Sequence, residues 1–254
     1  MNKNQFKDFL SKSHLKEMIP DLIIESKEDG TLRIGAATAN MTVGVISTMK
    51  NANLDVHDFG IGGVKKLLQI VDGLMDDEFE ISFEEKDNKQ LAGINLSDKK
   101  LKFYFTATDL ENINFTGKDN DKGKPVKDSV LDKLKNPTFS TNIEPEFIKM
   151  YSACKKPIEL ETVSIKTIDT DKIELLFGKT AHNSNTAKFE TAAIVNEELN
   201  DYMTFNSSFI QTIFDMNKTF ELGTMELYST VKVLLFTFVQ GEIETKYIVR
   251  YLPQ

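Results

Sequence analysis

The chain repeats itself, and that constrains its fold more than any other feature. Phe6, Phe9 and Leu10 in QFKDFLSKS stand at helical spacing, and Phe147, Met150 and Tyr151 in EFIKMYSAC repeat that spacing 141 positions on, counting from Phe6 to Phe147. After the first helix, DLIIESKEDGTLRIG reads as strand, Asp29-Gly30 turn and strand; after the second, ETVSIKTIDTDKIELLFG reads the same way. Leu32 and Ile34 align with Ile173 and Leu175, again 141 positions apart.

A second helix repeats as well. In FGIGGVKKLLQIVDG, Val64, Leu67, Leu68 and Val71 form one apolar stripe that Gly73 closes. In FNSSFIQTIFDMNK, Ile210, Ile213 and Phe214 form a stripe behind an Asn206-Ser207-Ser208 cap, 146 positions after Val64 when Ile210 is matched to it. Phe79 and Ile81 then alternate with polar residues as in a half-buried strand, and Met225 and Leu227 match them at 146. A five-residue insertion between hairpin and helix is expected to separate the two offsets. LAGINLSDKKLKFYFTAT and VKVLLFTFVQGEIETKYIVRYL close the units with further strands.

The expected fold class is therefore α+β, with two duplicated β-rich domains of two helices each. Domain 1 is expected over 1–116 and domain 2 over 143–254. GKDNDKGKPVKDSVLDKLKNPTFSTN, residues 117–142, is polar and contains Gly117, Gly123, Pro125 and Pro137, so it reads as a connector.

Charge is unevenly spread along these elements. The net charge is −8, which on its face argues against a nucleic-acid partner. Yet residues 2–16 carry Lys3, Lys7, Lys12 and Lys16 against Asp8, a net of +3. Residues 64–72 carry Lys65 and Lys66 against Asp72, a net of +1. Residues 146–156 carry Lys149, Lys155 and Lys156 against Glu146, a net of +2, and residues 209–218 balance Lys218 against Asp215. The four segments total +6, which leaves −14 for the remainder of the −8 chain. Any amphipathic helix has a charged wet face. Four helices this poor in acids, inside an acidic protein, instead suit a polyanion held on one face and repelled elsewhere. Without interleaved exposed aromatics, the lysines fit sequence-neutral contact with duplex phosphates better than base stacking.

No catalytic signature is present. Gly60 and Gly62 fill two positions of G-x-G-x-x-G, but the third falls on Lys65. There is no Walker loop, G-x-S-x-G or H-E-x-x-H motif. Asp119, Asp121 and Gly123 resemble a calcium loop faintly, with Gly one place early and Val130 where Glu belongs. His14, His57 and His182 are far apart, and the single Cys154 follows an apolar stripe. Asn114–Thr116 matches a glycosylation pattern that has no meaning in a cytosolic chain. The expectation is no catalytic residue, no metal and no cofactor. One cysteine rules out an intramolecular disulfide framework and suits a reducing cytosol. MNKNQFKDFL lacks an apolar signal core, and no run of about 18 apolar residues occurs, so neither a secretory leader nor a membrane span is expected.

At the level of pattern and order, the whole chain resembles a DNA sliding clamp, the polymerase processivity factor. More narrowly it resembles the clamps of large tailed phages, which are related in fold to proliferating cell nuclear antigen. The resemblance is carried by LDVHDFGIGGVKKLLQIVDGLMDDEFEISFEEKDNKQLAGINLSDKKLKFYFTAT, similar to the core of a clamp domain, and by the ending VRYLPQ, similar to clamp C-termini. The helix after Asn206 departs from the pattern, with Asp215 and only Lys218.

The resemblance implies a DNA clamp fold and a homotrimeric ring closed by edge-strand pairing, its helices lining the hole around double-stranded DNA. It implies DNA contact at Lys3, Lys7, Lys12, Lys16, Lys65, Lys66, Lys149, Lys155, Lys156 and Lys218. It implies a pocket for partner peptide tails at Tyr251, Leu252 and Pro253, and a subunit interface using Phe103 and Phe105. DNA polymerase and a clamp loader are the implied protein partners, and the cytoplasm (of the host cell, if viral) the implied location. The alternatives are a β-rich phage tail or baseplate protein, which would not require basic helices, and an enzyme with a non-local site.

Overall fold

A computed structural model of the chain describes residues 1–52, 54, 58–85, 91–115, 118–178 and 185–253. It divides into two compact units, Met1–Asp128 with Gly241–Thr245, and Ser129–Gln240 with Lys246–Gln254.

The first unit opens with α1 (Lys3–His14) behind Asn2, whose side-chain oxygen accepts from the Gln5 amide at 3.1 Å. Its expected stripe, Phe6, Phe9 and Leu10, is fully buried. There follow β1 (Asp21–Ser26), β2 (Leu32–Ala37), β3 (Val43–Met49), β4 (Asp58–Gly62), α2 (Val64–Gly73), β5 (Glu80–Glu85), β6 (Leu91–Ser97) and β7 (Lys102–Thr106). The strands form an antiparallel run ordered β3-β2-β1-β4 and an antiparallel meander β5-β6-β7. A bridge between Gly60 and Thr108 joins β4 to the chain that follows β7. Gly63 begins α2 at φ 70, a left-handed conformation that a side chain would resist. Its amide donates to Asp21 Oδ1 at 3.1 Å, and Val64, Leu67 and Val71 then face inward. α1 packs on α2, β1 and β3.

The second unit runs β8 (Phe139–Asn142), α3 (Pro145–Lys155), β9 (Thr162–Asp169), β10 (Lys172–Phe177), β11 (Ala187–Ala192), β12 (Ile194–Val195), β13 (Met203–Asn206), α4 (Ser207–Met216), β14 (Leu222–Tyr228), β15 (Val233–Gln240) and β16 (Ile243–Arg250). Its strand orders are β11-β10-β9-β13 and β12-β8-β14-β15-β16. The first three residues of β16 belong to the first unit. Apart from β8 and β12, the sequence of elements and the order of strands repeat those of the first unit. The repeat extends to register: Ile24 faces Ile34 across β1 and β2, and Ile165 faces Leu175 across β9 and β10.

Phenylalanine and tyrosine supply the large core side chains in a chain without tryptophan. In the second unit Tyr151 meets Phe177 and Phe214 edge-on, each with ring centroids 4.9 Å apart, and Phe214 meets Phe236 at 5.6 Å. Such tilted pairs add to area burial because ring edges are positive and faces negative. In the first unit Phe6 packs on Phe79 at 5.7 Å. The fold class is α+β with duplicated domains. The segment expected as a connector is partly structured: it holds short 3-10 turns and ends in β8, which pairs with β14.

Candidate nucleic-acid interface

The basic side chains lie on and just beyond the helices of each unit. In the first unit they meet different fates. Lys65 and Lys66 are exposed on the wet face of α2, opposite its buried stripe. Lys65 pairs with Glu17 at 2.6 Å, and that partner raises its pKa. Lys7, half-buried on α1, reaches Asp72 on α2. Lys3 donates to the Leu74 carbonyl at 2.9 Å. Lys16 is exposed in the turn after α1, where Leu15, Lys16 and Glu17 are all left-handed.

Lys12 differs from expectation. It is 3 % exposed, and burial lowers the pKa of its amine against the opposing pull of Asp8. An amine held this way is not among the exposed cations of the face.

In the second unit Lys149 is exposed on α3, with Glu146 at 3.9 Å. Lys155 is half-buried in the last turn of α3, and Lys156 is exposed immediately after it. Lys218 is exposed two residues past the end of α4. α3 is tied to α4 by Tyr151, whose hydroxyl donates to the Ser207 carbonyl at 3.1 Å, and by Ser152, which donates to Gln211 at 3.1 Å. Gln211 in turn donates to Asp215 at 3.1 Å. The acid that spoils the charge of α4 is thus engaged by its own helix.

Exposed ammonium groups on packed helices can meet phosphate oxygens without reading bases. Among the side chains described above there is no nucleophile–base pair. Among the described residues no group of three His, Cys, Asp or Glu side chains could hold a metal. His57 and His182, and Thr116 of the glycosylation pattern, lie outside the described residues. No helix among the described residues is long and apolar enough to cross a membrane.

The other expected sites are placed as follows. The Tyr251 amide donates to the Lys232 carbonyl at 3.0 Å, and the Leu252 amide to the Thr204 carbonyl at 2.9 Å. The Tyr251 ring stands edge-on to Phe205, with the Lys232 amine 5.3 Å from its centroid. Tyr251 and Leu252 are half-buried, and Pro253 is exposed. Phe105 is 5 % exposed, and Phe103 is half-buried beside Gly73. β7 is the last strand of its sheet and also carries Tyr104, which is exposed. Sequence reading missed a second edge, β11, which ends its sheet with Lys188, Glu190 and Ala192 exposed. The alternation in AKFETA was the available signal.

No protein-family model matches the chain, and no curated protein matches it in sequence. Solved structures do match. The chain is similar to proliferating cellular nuclear antigen from Entamoeba histolytica, at 12% identity and TM-score 0.71, over 99% of this chain and 96% of that one. It is similar to A. fulgidus PCNA, solved with the C-terminal region of FEN-1 bound, at 13% identity and TM-score 0.73, over 100% and 97% of the two chains. From end to end, the chain has the fold of PCNA.

Proposed function

We propose that this protein is a sliding clamp, of the type found in large tailed phages, that encircles duplex DNA and tethers the replicative polymerase. The observation that carries the reading is the end-to-end fold likeness to PCNA at TM-scores of 0.71 and 0.73. The exposed cations on and just after the packed helices of each unit support it. Of the lysines proposed for DNA contact, Lys16, Lys65, Lys66, Lys149, Lys156 and Lys218 are exposed, and Lys7 and Lys155 are half-buried. Such contacts bind phosphate weakly and without regard to sequence, as sliding requires. Retention would come from the closed ring, so the protein would act without catalysis, metal or cofactor.

Copies would join as a homotrimer through the open edges of β7 and β11, each of which ends its sheet. A clamp loader would open and close the ring in the cytoplasm. Because A. fulgidus PCNA was solved with the C-terminal region of FEN-1, a partner-tail site is proposed at Tyr251, Leu252 and Pro253. A tail or baseplate role has no observation in its favour.

Topology supplies the test. Loaded protein should stay on a nicked circular duplex through gel filtration in high salt and leave once the circle is linearised. Light scattering at micromolar concentration should give three copies. A strict monomer that leaves circular and linear DNA equally fast rejects the proposal.

A further inference from the structure

One buried cation belongs to none of the helices considered above. Arg33, on β2, is 6 % exposed, and its partners come from both ends of the first unit. Nη1 donates to Glu25, its neighbour on β1. Nε and Nη2 donate to Asp128 Oδ1 at 3.0 and 2.8 Å, and Nη2 also reaches the Val126 carbonyl. A guanidinium can serve a carboxylate, a second carboxylate and a carbonyl together because its donors form a rigid fork, which an ammonium lacks.

Two residues along β2 the backbone takes over. β1 pairs with β2 only at Leu32, Arg33 and Ile34, and the next carbonyl, Gly35, accepts from the Val126 amide at 2.9 Å. The approach is close enough that a β-carbon on Gly35 would lie 2.1 Å from the Val126 oxygen. Upstream, the Gly123 amide donates to the Ile113 carbonyl at 2.8 Å. Residues 123–128 are thus pinned at three points, and Asp128 is the last residue of the first unit before the chain passes to the second.

We infer that Arg33 and Gly35 form a latch that holds residues 123–128 as a strap on β2. The strap has few apolar contacts to keep it in place: Pro125 and Val126 are half-buried, while Lys124, Lys127 and Asp128 are exposed. Its order depends on the guanidinium, and its release would free the chain from Lys124 onward. Opening the strap would cost the guanidinium its hydrogen bonds to Asp128 and the Val126 carbonyl and leave only the Glu25 pair, so those contacts favour the closed state. This inference concerns the connector alone and stands whether or not the protein is a clamp.

Hydrogen exchange and limited trypsin digestion of the full chain test it. Arg33→Lys keeps the charge and loses the fork. It should speed exchange of the Val126 amide at least about tenfold, the scale of losing charge-assisted hydrogen bonds. Trypsin cleavage after Lys127 should quicken in parallel, while exchange at Phe9, in the core of the same unit, stays unchanged. Asp128→Asn is the second variant, because that side chain is 66 % exposed and its loss should leave folding intact. It should move both readouts the same way by a smaller factor. If both readouts stay within about twofold of the parent in either folded variant, the latch is rejected. It is likewise rejected if exchange rises equally at Val126 and Phe9, because the change is then one of the whole unit.

Discussion

The ammonium of Lys3, in the first turn of α1, donates to the backbone carbonyl of Leu74 at 2.9 Å, at the C-terminal end of α2. That end carries partial negative charge and unsatisfied carbonyls, so a cation there satisfies both. Lys3 therefore ties the two helices of the first unit, which reduces its availability to a phosphate. Lys3→Met keeps the stem and removes the charge. It should lower stability by about 0.5–1.5 kcal/mol in thermal or urea unfolding. Its effect on duplex binding should be smaller than that of Lys66→Met. An unchanged unfolding midpoint would remove the tie.

The exposed lysines predict a different signature. Binding to phosphate releases counterions, so log K falls with log salt by about 0.9 per neutralised phosphate. Lys66→Ala, Lys149→Ala and Lys156→Ala, all exposed, should leave the fold unaltered and make that slope shallower by close to one each. The effect should be the same on duplexes of unrelated sequence. Equilibrium titrations across a salt series check this, and an unchanged slope in the triple variant would exclude these three amines from DNA contact.

The duplication was legible because apolar spacing survives where identity does not. Ile24 facing Ile34 and Ile165 facing Leu175 are the physical content of the 141-residue offset. The second helices were matched less well. Taking Val64 with Ile210 sets them 146 apart, whereas the helices begin at Val64 and Ser207, 143 positions apart. A slip of three residues keeps the same helix face inward, so periodicity alone does not detect it. Lys12 was misjudged because residue type says little about a long aliphatic stem whose burial is decided by its neighbours. Phe103 and Phe105 lie on strand β7 as expected, where Phe105 is buried in the core and Phe103 is half-buried. Arg33 left no trace in the sequence: its partner Asp128 is 95 positions away, in a segment without periodicity.

The turn after α1 stores strain. Leu15, Lys16 and Glu17 have φ of 49, 51 and 73, three successive non-glycine residues in the left-handed region. Each costs about 1–2 kcal/mol relative to a right-handed residue. The turn is held by the buried Leu15 and by hydrogen bonds from Met18 to Leu15 and from Ile19 to His14, both 3.2 Å. Lys16→Val should destabilise the protein by about 1 kcal/mol or more, because a β-branched side chain fits that region worst. Lys16→Gly should be neutral or stabilising by up to about 1 kcal/mol, the relief of strain being partly offset by unfolded-state entropy. Chemical denaturation of the pair decides it, and equal midpoints would mean that the backbone there is not strained.

Glu174, on β10, is 5 % exposed, and its pKa is lowered first by the hydrogen bond from Lys188 at 2.8 Å and then by that from the Tyr202 hydroxyl. Lys166, opposite Glu174 on β9, sits 4.7 Å from the centroid of the Tyr202 ring. Burial, together with the carboxylate, pushes the Tyr202 phenol up to about 12. The folded carboxyl of Glu174 ionises below its unfolded value. Its contribution is therefore complete above the ordinary glutamate range and is lost as pH falls through the lowered value. Glu174→Gln should cost about 1–2 kcal/mol at neutral pH, discounted for the exposed Lys188 partner. The gap between parent and variant should narrow as pH falls below about 4.3, where the unfolded carboxyl protonates. Urea unfolding at several pH values measures the gap, and a constant difference down to the lowest pH would show that the carboxylate charge does not hold these strands.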